Sequence, residues 1–81
     1  MEMIDTIKLM QSNDYKERFR AEYLQLKIRY NKLFDMVVKY RAGTLGFKPH
    51  CTVEMLMEQL RIMGQYIMML EVRAEVEDIE L

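Results

Sequence analysis

Tyrosines and cations alternate along one stretch of this chain of 81 residues: Tyr15, Lys16, Arg18, Arg20, Tyr23, Lys27, Arg29, Tyr30 and Lys32. Aromatic faces stack on nucleobases, and Arg and Lys hold phosphates, so the mixture suits a nucleotide. A structural reading competes with that one. Tyr23 and Tyr30 also fall on an apolar stripe, and Lys27 and Arg29 flank it as seam residues of a packed helix do. Tyr15 and Arg18 sit in the first turns and are less committed to a core. Gln65, Tyr66 and Arg73, far along the chain, could meet that helix start in a neighbouring copy. The candidate ligand-binding residues are therefore Tyr15, Arg18, Arg20, Tyr23, Tyr66 and Arg73.

Other chemistries lack their residues. AGTLG has no following Lys-Ser/Thr, so it is not a phosphate-binding Walker loop. The single His50 and single Cys51 exclude a multi-histidine site, an internal disulfide and a cysteine-based metal cluster. Adjacent in sequence, the two side chains diverge, which does not favour a nucleophile pair. Cys51 reads as a small buried residue of a turn. The expectation is a non-enzyme with no cofactor and no metal.

The elements that position these residues follow from apolar spacing. One stripe in 4-3 spacing runs Phe19, Tyr23, Leu26, Tyr30, Leu33, Val37, Tyr40. A second runs Val53, Leu56, Leu60, Met63, Ile67, Leu70, Ala74. Both have helical period. The spacing predicts long helices over about 14–42 and 53–76. Asp14, with Glu17 three residues later, fits an N-cap, and Gly43 fits the left-handed residue after a helix end. Thr52 fits the second N-cap. Leu45 and Phe47, apolar residues of the connection, are expected to plug one end of the hairpin. A short helix over 2–11 would carry Ile4, Ile7 and Met10 on one side. The closing VEDIEL reads as a fraying acidic tail, although Val76 and Ile79 could extend the second helix. The fold class is all-α: one domain over 1–81, a long antiparallel helical hairpin with a short N-terminal helix, assembling as a homo-oligomer.

Self-association is expected because one hairpin is too thin for a sizeable core. Beyond its main stripe, the second helix carries Met55, Ile62, Met69 and Val76 at seven-residue intervals, with Tyr66, Met68 and Val72 on other sides. Only one stripe can face the first helix. Gly64 in the helix interior suggests close approach of another backbone or a ligand. Nine methionines suit an adaptable interface.

The net charge of −1 hides a split. Residues 14–48 hold nine Lys/Arg against four Asp/Glu, and residues 49–81 hold two against seven. The arms attract each other, or the basic arm faces an anionic ligand. The acidic arm would repel long duplex DNA, so nucleic acid is not the expected partner. The uncharged run Ile62–Leu70 is too short to span a bilayer. MEMIDTIKLM, with Glu2 and Asp5, does not read as a signal peptide, and a lone cysteine fits a reducing cytoplasm.

DYKERFRAEYLQLKIRYNKLFDMVVKY, then AGTLGF, LMEQL and MGQYIMMLEVRAEVE, resemble a group of small helical proteins of gut tailed phages, including crAss-like phages. The likeness covers roughly residues 13–80. The size and hairpin plan are also similar to phage anti-CBASS and anti-Thoeris proteins, small helical hairpins that assemble into hexamers and sequester cyclic nucleotides between protomers. The second resemblance implies a non-catalytic sponge for a cyclic-nucleotide immune signal, homo-oligomeric and possible as a hexamer, and both imply the cytoplasm of an infected bacterial host. A helical adaptor docking a host or phage protein is the alternative.

Overall fold

A computed structural model describes Gln11 and residues 13–81, and the expected helix over 2–11 lies essentially outside them. Two helices form an antiparallel hairpin: α1, Tyr15–Ala42, and α2, Val53–Glu77. A helix of 28 residues rises about 42 Å, which accounts for the 43 Å long axis of the molecule. No helix among the described residues is long and apolar enough to cross a membrane.

Each helix begins and ends where side-chain chemistry dictates. The Asp14 carboxylate accepts from the Lys16 N–H at 2.9 Å, and Glu17 adds negative charge to the positive end of the α1 dipole. Lys39 and Arg41 occupy the last turn, and Gly43 takes φ 78°, which a residue without Cβ adopts freely. The Thr44 N–H then bonds the Lys39 carbonyl at 2.9 Å. Thr52 caps α2 by accepting from the Met55 N–H at 3.2 Å.

The two apolar stripes face each other, but burial along them is uneven. Phe19, Leu70, Ala74 and Ile79 form the core cluster, with Tyr23 and Leu26 packed against it. This cluster sits where α1 starts and α2 ends. Toward the connecting loop, Val37 is buried, Leu33, Leu56 and Leu60 are half-buried, and Tyr40 is exposed.

Three expectations need correction. The tail does not fray. Asp78 adopts a left-handed conformation (φ 55°, ψ 48°), and the Ile79 N–H bonds the Ala74 carbonyl at 2.8 Å. That reversal returns Ile79 to the core, where it is 6% exposed. Asp78 tolerates this conformation better than most residues with a Cβ. Phe47 does not plug the hairpin: it is 61% exposed, because the loop turns it to solvent. Cys51 is exposed, not buried.

Packing within one copy does not demand glycine at position 64. A Cβ built there would lie 3.7 Å from a ring carbon of Tyr30, ordinary van der Waals distance. Within one copy, the neighbour is a side chain of α1 rather than a backbone.

Candidate functional site

The six candidate residues divide between the two edges of the hairpin. Helical spacing places Tyr15 and Arg18 on one edge of α1, and Tyr66 and Arg73 on the same edge of α2. Arg20 and Tyr23 fall on the other edge.

On the first edge, the structure joins Tyr15 to Arg73. The Tyr15 hydroxyl donates to Glu77 Oε1 at 2.8 Å and accepts from Arg73 Nη2 at 2.9 Å. Arg73 Nε donates to Glu77 Oε2 at 3.2 Å, and its guanidinium lies 5.1 Å from the centroid of the Phe19 ring. Tyr15, Arg73 and Glu77 thus form a closed polar triangle over an aromatic base. Its electrostatics follow from these contacts. The Tyr15 hydrogen bond, with Arg73 beside it, holds the Glu77 carboxyl below its ordinary range. Accepting that bond, Glu77 in turn pushes the Tyr15 phenol up. Tyr15 nevertheless remains 47% exposed, its ring tilted 54° against that of Phe19.

Further along this edge the Tyr66 hydroxyl donates to Glu22, which raises the Tyr66 phenol. A groove of about 520 Å³ follows, lined by Leu26, Leu33, Met36, Gln59 and Met63, with Arg29 and Lys32 at its rim. Arg18 lies on this edge and is engaged with other groups of the chain.

The second edge is bound to the tail. Arg20 Nε donates to the Glu80 carbonyl at 2.7 Å, and Lys16 Nζ donates to the Asp78 carbonyl at 3.2 Å. These side chains border a cavity of about 480 Å³ whose other walls are Ala74, Glu75 and Ile79. Tyr23 donates to Glu71 Oε2 at 2.7 Å. Partial burial, reinforced by that carboxylate, pushes the Tyr23 phenol up to about 12.

Sequence reasoning missed the acceptors. Glu22, Glu71 and Glu77 each take a tyrosine hydroxyl from the opposite helix. The charge split carries the signal, but it points to attraction between the arms or to an anionic ligand rather than to neutral hydroxyl donors. The ion pairs Arg61–Glu58 and Arg73–Glu77 lie within α2. Sequence reasoning also left out the groove of about 470 Å³ on the second edge, where Tyr30 and Phe34 stack beside Gly64 between Arg41 and Arg61.

No group of three His, Cys, Asp or Glu among the described residues could hold a metal ion. Fold and surface together define a small all-helical hairpin that presents aromatic rings and guanidinium groups from paired edges. Residues 13–76, most of the chain, match the family Sequestin, and the chain belongs to that family. The family's name denotes sequestration. No curated protein and no solved structure matches the chain.

Proposed function

We propose that this chain is a phage-encoded, non-catalytic protein that sequesters a cyclic-nucleotide immune messenger in pockets between copies of itself, in the cytoplasm of an infected bacterium. Membership of a family named for sequestration supports the sequestering role. The observation that carries the ligand class is the first edge. There, half-exposed Tyr15 and Tyr66 stand in line with Arg73, Arg29 and Lys32.

The exposed rings offer stacking platforms for bases, and the cations offer charge for phosphates. Arg73 is pre-oriented by Glu77 and Phe19. A ligand phosphate would take the place of the Glu77 carboxylate as its acceptor, exchanging one charge-assisted hydrogen bond for another. The groove beside Arg29 has the volume of a small-molecule site but is open on one side. A second copy would supply the missing wall.

Thermal shift against cyclic di- and trinucleotides and cyclic ADP-ribose isomers tests this reading, followed by chromatography of what denatured complex releases. Stabilisation by one of them, with the nucleotide recovered intact, is the expected result. No stabilisation well above micromolar ligand overturns it, and recovery of a cleaved nucleotide overturns the non-catalytic role.

The exposed apolar residues of α2 favour a second reading, a helical adaptor for a host or phage protein. Under that reading, pull-down from host lysate returns a stoichiometric protein and the nucleotide panel stays silent.

A further inference from the structure

The side of α2 turned away from α1 is the largest unexplained feature of the molecule. Met55, Ile62, Met69 and Val76 recur every seven residues along it and are 63%, 52%, 59% and 80% exposed. Val72, 54% exposed, joins them between Met69 and Val76. A seven-residue repeat is the seam of a left-handed helix pair, with Met55, Ile62, Met69 and Val76 at one core position and Glu58, Gln65 and Val72 at the other. The five apolar side chains expose on the order of 500 Å², near the upper limit for a patch that a monomeric protein leaves bare. Doubled across two copies, that area approaches what a specific interface buries.

The charges flanking the seam select the partner and its direction. One flank carries Arg61, Met68 and Glu75, again at intervals of seven. We propose that α2 pairs antiparallel with α2 of a second copy, about a two-fold axis passing opposite Ile67. In this register, Ile62 of each copy meets Val72 of the other, Gln65 meets Met69, and Val76 meets the aliphatic stem of Glu58, whose carboxylate is held by Arg61. Arg61 of each copy comes beside Glu75 of the other, so the charge pair is made twice, while the two Met68 side chains meet at the axis. Arg61 uses Nε and Nη2 on Glu58, which leaves Nη1 for Glu75 of the second copy. A parallel pair fails these conditions. It gives Glu75 no cation and brings the two acidic tails together.

The register has a consequence for the candidate site. The other flank carries Gln59, Tyr66 and Arg73. The two Tyr66 rings meet near the axis, each flanked by Arg73 of one copy and Gln59 of the other. The resulting crevice draws identical aromatic and cationic groups from both copies. The interface rests on the self-association invoked above and is independent of the ligand.

Sedimentation velocity of the full chain, with circular dichroism as the folding control, tests the proposal. The wild type sediments as a dimer or an even-numbered assembly of dimers. Met69→Glu, at an exposed position, reduces it to half that mass with helicity unchanged. Arg61→Glu and Glu75→Arg each weaken association at least tenfold, and the double variant restores it. With Cys51→Ser, Met68→Cys forms a disulfide across the axis under mild oxidation. An assembly unaffected by Met69→Glu, or a charge swap without restoration, overturns this interface and leaves assembly through another face standing. A stably folded wild-type monomer at high concentration overturns both this interface and the pockets between copies.

Discussion

Arg20 reaches from α1 to the backbone carbonyl of Glu80, 2.7 Å away, and ties the last residues of the chain to the start of the hairpin. Two residues earlier in the chain, the Asp78 carbonyl is held by Lys16. Between these tethers, Ile79 is pressed into the main core cluster. The tail is therefore a structural part of the hairpin.

Replacing Ile79 with alanine is expected to cost about 2–4 kcal/mol, because it leaves a cavity in a core with few other members. Urea unfolding followed by circular dichroism measures this. A loss below about 0.5 kcal/mol would mean that the tail does not hold the core in solution.

Thr52→Ala removes the hydroxyl that caps α2 and is expected to cost about 1 kcal/mol. The same denaturation experiment reads it, and Thr52→Ser should recover most of the loss.

Gly64→Ala is expected to stabilise the hairpin by up to about 1 kcal/mol. The added methyl meets only the Tyr30 ring at ordinary contact distance, and helix propensity rises. If the variant is instead less stable and dissociates, another backbone approaches Gly64 in the assembly.

Acid should weaken the Tyr15–Glu77–Arg73 triangle. The Glu77 carboxyl is lowered in the folded chain, so its contribution is complete above the ordinary glutamate range and fades as pH falls through the lowered value. Glu77→Gln should flatten this acid limb of the stability profile. The group is exposed, so the effect should shrink as salt is added.

At high pH the sign reverses. Tyr23 rises from the ordinary phenol value of 10.0 to about 12, so the folded chain keeps its proton longer than the unfolded chain. Stability is intact below pH 10 and declines as pH climbs toward 12. Tyr23→Phe should remove this residue's share of the decline, and phenolate absorbance during an alkaline titration of the wild type should show a delayed tyrosine phase that shrinks in the variant.

The hairpin was legible in the sequence because its signals agree. Two stripes of helical period are separated by one cluster of loop residues, and Asp14, Gly43 and Thr52 mark boundaries by well-understood local chemistry. What escaped was non-local. Nothing in VEDIEL alone indicates that Asp78 reverses the chain, since that turn is held by a core contact to Phe19, Leu70 and Ala74. The tyrosine–glutamate bonds escaped for a related reason. Tyr23 lies 48 residues from Glu71, and only the register of the two helices brings them together. The candidate residues were legible by type, while their division between two edges depended on that register.

The core cluster lies at the end of the hairpin where the helices are not covalently joined. Fluctuations should therefore begin at the opposite end, beside the loop, and peel the helices apart toward the knot of side chains at Phe19 and Ile79. Backbone amides of the last turns of α1 and the first turns of α2 would then exchange with solvent sooner than those around Leu70, so the covalent bend is the molecule's soft tip and its free ends form the anchor.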